Sequence, residues 1–178
     1  KQLLPLLEAA FVRKQPKKLL LLPTYGKLPT TSLICVAVTD KGADAYRLAG
    51  ARITRELRGA NMKRVGVVLP TSFSVTRSDE AEAFFEGLFL GLYTFHVYKT
   101  VSPADRIAKD VQIDLLGLPA KEKAAWAKVI ERARTLAEAI MLTRDLVNTP
   151  SGDMYPIRLA DVAATTVAGV DGCSAQPL

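Results

Sequence analysis

The sequence is poor in side chains that bind transition metals, with one histidine, His96, and two cysteines, Cys35 and Cys173. A zinc site needs several such ligands at short spacings, and neither a C-x-x-C nor an H-E-x-x-H motif occurs. Two distant cysteines give no disulfide framework, and Cys35 lies in an apolar run that is typical of a core strand. We therefore expect a reduced, cytoplasmic setting and no metal site in this chain.

Long hydrophobic runs and the common nucleotide or hydrolase motifs are also absent. No apolar stretch approaches the ~18 residues that a membrane-spanning helix needs, and Lys1–Phe11 lacks the apolar centre of a signal peptide. The phosphate-binding patterns G-x-x-x-x-G-K-[ST] and G-x-G-x-x-G do not occur, and neither does the G-x-S-x-G of many serine hydrolases. The sequence thus predicts no membrane association and no catalytic residue.

The composition is that of a globular domain with an excess of positive charge. Hydrophobic residues make up 49% and charged residues 24%, and 24 basic against 18 acidic residues leave a net charge of +6. Arg47, Arg55, Arg58 and Lys63 gather around one predicted helix, and we call these four residues the basic patch. A solvated helix face is the simpler interpretation, and contact with DNA phosphates is the alternative function.

Strand-length apolar runs alternate with segments of helical periodicity. This alternation predicts an α/β fold, a three-layer α/β/α sandwich with a mostly parallel mixed sheet covered on both faces. Strands are predicted over Lys18–Thr24, Leu33–Thr39, Arg64–Leu69 and Val111–Leu116. Helices are predicted over Asp44–Arg58, from Asp79 onward, over Lys121–Asn148 and over Pro156–Ala168.

The helix that begins at Asp79 combines an apolar stripe with two glycines. Gly87 and Gly91 lie four residues apart beside the stripe, which indicates close packing of this helix on a sheet. The single histidine, His96, follows the stripe and is expected at the surface or at a helix cap. A solvated helix face rather than a metal site is expected for the acidic residues Asp79, Glu80, Glu82 and Glu86.

Three strings in the sequence resemble motifs of the leucyl aminopeptidase family. Glu86–Lys99 (EGLFLGLYTFHVYK) is similar to the family's E-G-x-x-L-G-x-Y-x-F-x-x-Y-K, and Thr143–Pro150 (TRDLVNTP) is similar to A-R-D-L-V-N-x-P. Tyr155–Ala160 (YPIRLA) resembles the T-P-x-x-L-A that follows, with Tyr155 in place of the usual threonine. The order and the separation of the three strings also match the family.

The resemblance implies a macro-domain-like N-terminal domain over residues 1–148 that ends in a long connector helix. Residues 149–178 would then begin the link to a catalytic domain. In that arrangement the motif residues near the end of the helix are interdomain or helix-ending residues rather than catalytic ones. They are Arg144, Asp145, Asn148 and Pro150.

The resemblance also implies what the full protein does. Leucyl aminopeptidases remove N-terminal amino acids from peptides with two divalent metals, zinc or manganese, which their catalytic domain holds through lysine and carboxylate ligands. This sequence, which ends at Leu178, contains none of those ligands, so we expect the segment alone to bind no metal and to be inactive. Its role would be assembly, active-site access or regulation in a hexamer.

Two binding functions stand beside this interpretation. Some bacterial relatives bind DNA, which would give the basic patch a use. A macro-domain-like fold would also suggest ADP-ribose binding, but the glycine-rich phosphate loop for it is not visible in the sequence.

Overall fold

The structure is a computed structural model, and it describes residues 19–26, 29–38, 40, 42–59, 62, 64–69, 73–75, 79–100 and 111–176. The strands in these ranges are β1 (Leu19–Pro23), β2 (Ser32–Val36), β3 (Arg64–Val68) and β4 (Gln112–Leu116). The α-helices are α1 (Ala43–Gly59), α2 (Asp79–Leu90), α3 (Lys123–Asn148) and α4 (Pro156–Val167), and a 3-10 turn, Ala120–Glu122, precedes α3. The predicted α/β class and the order of the elements are confirmed.

The strands of the described ranges pair in two short sheets. β1 runs antiparallel to β2, with Leu21 opposite Ile34, and β3 runs parallel to β4, with Val65 opposite Ile113. The loop after β1 is too short for a parallel crossover, which takes a dozen or more residues, so this pair is antiparallel. The three-layer sandwich with one mostly parallel sheet stays a prediction.

The chain divides into two compact units, the first ending at Ala137 and the second beginning at Glu138. The hydrophobic core belongs to the first unit, where α2 contributes more of the buried side chains than any other described element. A series of edge-to-face aromatic contacts, with ring centroids 4.8–6.2 Å apart, runs through Tyr46, Phe73, Phe84, Phe85 and Trp126.

The second unit, from Glu138, has no buried residue in its described part. No helix in the described ranges is both long enough and apolar enough to cross a membrane.

The outward face of the β3–β4 pair carries a small polar cluster. Arg64 Nε donates to Asp114 Oδ2 at 2.7 Å, and Gln112 Nε2 donates to Asp114 Oδ1 at 2.9 Å. The hydrogen bond from Arg64, followed by that from Gln112, lowers the pKa of the Asp114 carboxyl below its usual range. Because a depressed pKa favours the folded state only where the carboxyl is ionised, this cluster stabilises the fold at neutral pH and not in acid.

Replacing Arg64 with alanine should raise the pKa of Asp114 towards its ordinary value, since the first of these hydrogen bonds is lost. NMR titration of the side-chain carboxyl would measure the shift. The melting temperatures of the protein and the variant should also converge as the pH falls from neutral to about 3. Arg55→Ala, a change at an exposed position on α1, is the control, and an Asp114 pKa that moves equally little in both variants would contradict the assignment.

Candidate functional site

The glycines of the Glu86–Lys99 string bring helix α2 into contact with the backbone of α1. A Cβ atom added at Gly87 would lie 1.9 Å from the carbonyl oxygen of Arg47, and one added at Gly50 would lie 2.2 Å from that of Phe84. No side chain fits in either place, so glycine is required on both helices. The prediction that Gly87 packs against a sheet is therefore wrong, because its neighbour is a helix.

Gly91 makes the same contact one turn later. A Cβ atom there would lie 2.0 Å from Oγ1 of Thr54 and 2.8 Å from the carbonyl oxygen of Ala51. Thr54 is fully buried, and its hydroxyl donates to the carbonyl oxygen of Gly50 at 3.3 Å. The four-residue spacing thus places Gly87, and Gly91 directly after the end of α2, on the same side facing α1.

A buried ion pair joins the same two helices. Arg47 Nε donates to Glu86 Oε2 at 2.9 Å, and the Glu86 side chain is only 6% exposed. The hydrogen bond with Glu86 is the main cause that raises the pKa of the Arg47 guanidinium, and Asp44 also pairs with Arg47. The prediction of a solvated face is wrong for Glu86, which lies in the interior and is neutralised by a cation from α1.

The residues of the basic patch differ in their contacts and do not form one exposed surface. Arg47 is held by Glu86, and Arg58 Nη1 donates to the carbonyl oxygens of Gly91 and Tyr93 at 3.1 and 3.2 Å. Arg58 therefore holds the turn that follows the C-terminal end of α2. Arg55 is exposed on α1, and Lys63 lies outside the described residues.

No metal centre can be built from the described part of the chain. It contains no group of three or more His, Cys, Asp or Glu side chains that could hold a metal ion. Both ring nitrogens of His96 are buried without a hydrogen-bond partner among the described residues, so the expected surface or capping role for His96 is wrong. Burial raises the pKa of the partly exposed Cys35 thiol, and Cys173 is exposed. The described residues therefore do not fit a divalent metal pair.

The Thr143–Pro150 string forms the end of helix α3. The backbone N–H and the hydroxyl of Thr149 both donate to the carbonyl oxygen of Asp145, at 3.0 and 2.7 Å. The carbonyl oxygen of Pro150 then accepts from the backbone N–H groups of Asp153 and Met154, each at 2.9 Å. Asp145 and Pro150 thus act through their main chain in ending the helix, and the side chains of Arg144 and Asn148 are exposed.

The next helix, α4, begins where the third string begins. Tyr155 is extended, with φ −90° and ψ 165°, and Pro156 occupies the first turn, where its missing N–H costs no hydrogen bond. Tyr155 makes no side-chain capping bond to the helix.

Comparison with known proteins identifies the chain. The model of the N-terminal domain of the cytosol aminopeptidase family matches residues 2–102. The chain belongs to this family. A cytosol aminopeptidase of Streptomyces griseus, named as probable, is 35% identical over 166 residues, which are 83% of this chain and 30% of the relative. A probable cytosol aminopeptidase of Tropheryma whipplei is 31% identical over 119 residues, 66% of this chain and 23% of its own length.

Solved structures show that the cytosol aminopeptidase domain described here shares its fold with longer enzymes. A tomato leucine aminopeptidase variant matches with a TM-score of 0.72 and 20% identity over 94% of this chain and 33% of its own. A bottromycin maturation enzyme in complex with manganese matches with a TM-score of 0.65 and 21% identity over 86% of this chain and 31% of its own. The chain thus spans about a third of the length of these proteins.

The family motif gains a physical explanation from the helix pair. Glu86, Gly87 and Gly91 of the E-G-x-x-L-G string are the residues through which α2 contacts α1. Sequence reasoning missed their partners, Arg47, Gly50 and Thr54. Gly50 and Thr54 on α1 have the same four-residue spacing as Gly87 and Gly91, and a search for two helices with small residues at matched intervals could have found that pair.

Proposed function

We propose that this chain is the non-catalytic N-terminal domain of a leucyl aminopeptidase whose complete polypeptide releases N-terminal amino acids from peptides. One observation carries the proposal. The family's N-terminal-domain model covers residues 2–102, and the described residues contain no cluster of metal ligands. The Streptomyces griseus relative supports it, because its match to this chain occupies 30% of its length and leaves room for a separate catalytic domain.

The metal chemistry belongs, in this proposal, to residues outside the described ones. Two divalent ions, zinc or manganese, would be held by the catalytic domain, and the manganese complex of the bottromycin maturation enzyme supports such a metal in a protein of similar fold. The described residues would form a stable domain to which the catalytic domain is joined.

The connector is proposed to comprise the end of α3 and the turn after it, with Arg144, Asp145, Asn148 and Pro150 as its interdomain residues. The N-terminal domain would extend over residues 1–148, and residues 149–178 would begin the link. The continuous 26-residue helix α3, about 39 Å long at 1.5 Å per residue, supports a stiff connection. The domain would serve assembly, active-site access or regulation in a cytoplasmic hexamer.

Hydrolysis of leucine p-nitroanilide tests the proposal. The purified 178-residue chain should stay at the buffer rate with added manganese or zinc. Protein from the complete reading frame should hydrolyse the substrate and lose this activity with a chelator. Light scattering of the complete protein should give the mass of six copies.

Two results would contradict it. Turnover that purifies with the 178-residue chain would show that the segment is catalytic by itself. A complete, metal-loaded protein without activity on any aminoacyl p-nitroanilide would remove the aminopeptidase assignment.

A further inference from the structure

After helix α2 the Glu86–Lys99 string continues as an irregular segment, residues 92–99, which we call the strap. Its first two N–H groups donate to carbonyl oxygens of α2 at 3.0 and 3.2 Å, and the N–H of Lys99 donates to the carbonyl oxygen of His96 at 3.1 Å. The N–H groups of residues 94–97 donate to no backbone carbonyl of the described residues. A segment with so few backbone hydrogen bonds opens at a low cost in free energy.

The Arg58 side chain of α1 links the start of the strap to the rest of the first unit. Its Nη1 donates to the carbonyl oxygens of Gly91 and Tyr93 at 3.1 and 3.2 Å. The rings of Phe95 and Tyr98, with centroids 5.9 Å apart, contact each other within the strap, so this contact can move with it. None of the strap residues is buried as a whole, and hydrophobic burial therefore holds the strap less firmly than it holds α2.

The imidazole of His96 is unfavourably placed in this conformation of the strap. A neutral imidazole has one donor and one acceptor nitrogen, and both nitrogens of His96 are buried without a hydrogen-bond partner. Nε of Arg58 is buried in the same way. Of the four such side-chain atoms in the described part of the chain, three therefore belong to the strap or to the residue that holds it. Each keeps the cost of its desolvation without a bond in return.

Opening of the strap would remove these costs. Water would then bond to the nitrogens of His96 and to Nε of Arg58, which compensates for the loss of the two hydrogen bonds between Arg58 and the backbone. Gains and losses of similar size leave the two conformations close in free energy, so both are populated.

We propose that the strap is a conformational switch that alternates between the closed form of this structure and an open form. In the open form Arg58 releases the carbonyl oxygens of Gly91 and Tyr93, and His96 turns its nitrogens to water. The opening involves the first unit alone, so it is independent of the proposed function. The first half of the Glu86–Lys99 string thus fixes α2 against α1, and the second half is a segment that opens.

Acylation of the imidazole by diethyl pyrocarbonate measures the opening. His96 is the single histidine of the chain, so the modified peptide, detected by mass spectrometry, reports one site. Because both nitrogens are buried in the closed form, the reagent should modify His96 at least about tenfold more slowly than N-acetylhistidine in solution. Equal rates for the two would overturn the closed form.

The variant Arg58→Met tests what holds the strap closed. Its His96 should be modified at least about tenfold faster than that of the parent, because the two hydrogen bonds from a charged donor are lost. Arg55→Met, at an exposed position of the same helix, is the control and should leave the rate unchanged. A cooperative urea transition of Trp126 fluorescence shows that each variant is folded. A folded Arg58→Met protein that reacts at the parent's rate would overturn the proposal.

The variant His96→Leu tests the unpaired imidazole without any change at Arg58. Leucine has no polar atom to leave without a partner, so the closed form should gain and the open form should become rarer. Cleavage of the native protein by chymotrypsin after Phe95 measures this population when its rate is divided by that of the unfolded chain. The ratio should fall about tenfold in His96→Leu and should not fall in the control His96→Gln, which keeps polar atoms.

An ordered water bonded to His96 predicts the opposite result. Leucine would then lose a hydrogen bond that the closed form has, and the ratio of cleavage rates would rise. A ratio that rises or stays unchanged in His96→Leu would therefore overturn the switch. Peptidase activity of the complete protein does not enter either measurement, so the failure of the switch is distinct from that of the proposed function.

Discussion

Replacing Gly87 with alanine should destabilise the first unit by about 3 kcal/mol, although alanine is the better helix former. The added Cβ atom would lie 1.9 Å from the carbonyl oxygen of Arg47, so α1 and α2 would have to separate. In a helix without this contact the same change would stabilise by about 1 kcal/mol. A loss of stability on Gly87→Ala would therefore show that the helices are in contact, and a gain would show that they are not. Urea unfolding followed by the fluorescence of Trp126, the single and buried tryptophan, measures it.

Two glycine variants serve as controls. Gly169→Ala places a Cβ atom with nothing within 4 Å, and the free energy of unfolding should change by less than about 0.5 kcal/mol. Gly91→Ala should cost less than Gly87→Ala, because its nearest obstacle is the Thr54 hydroxyl, a side-chain atom, whereas that of Gly87 is a backbone carbonyl oxygen. A Gly87→Ala protein as stable as the parent would show that the helices do not approach this closely.

Replacing Arg47 with methionine should cost about 3 kcal/mol of stability, because the buried Glu86 carboxylate would lose the guanidinium that pairs with it and keep its desolvation penalty. The Arg47 side chain is 36% exposed, which places the effect at the lower end of the range for broken buried pairs. Chemical denaturation of the single variants and of the double variant Arg47→Met, Glu86→Met measures the coupling.

The double variant should recover most of the stability that Arg47→Met loses, since no unpaired charge is then left inside. Arg55→Met, at an exposed position on the same helix, is the matched control and should change the stability by less than about 0.5 kcal/mol. If Arg47→Met behaved like Arg55→Met, the ion pair would not be a structural element of the domain.

The positions of the strands and helices could be predicted because each is specified by local pattern. The predicted strand over Arg64–Leu69 and the helix that ends at Asn148 occur almost as expected. The pairing of strands is less local, and the antiparallel β1–β2 pair follows from the length of the loop between them rather than from the apolar runs.

The contacts between α1 and α2 could not be predicted because their partners are far apart along the chain. Arg47 and Glu86 are separated by 39 residues, and each alone has the appearance of a solvated charge. Gly87 predicts that another element packs closely against α2, but a glycine alone does not indicate whether that element is a helix or a strand. For the connector, the motif indicated where α3 ends, and the hydroxyl of Thr149 explains how.

The contact between α1 and α2 also limits how the two helices can change during evolution. The atoms that face Gly50 and Gly87 are carbonyl oxygens, which every amino acid carries, so no second substitution could make room for a larger residue at either position. Gly91 faces the Thr54 hydroxyl first, and a smaller residue at Thr54 would relieve that obstacle while the Ala51 backbone remained. We therefore expect Gly50 and Gly87 to be invariant, because each faces backbone atoms. At the Gly91–Thr54 pair, by contrast, a larger residue at position 91 could be partly compensated by a smaller one at position 54.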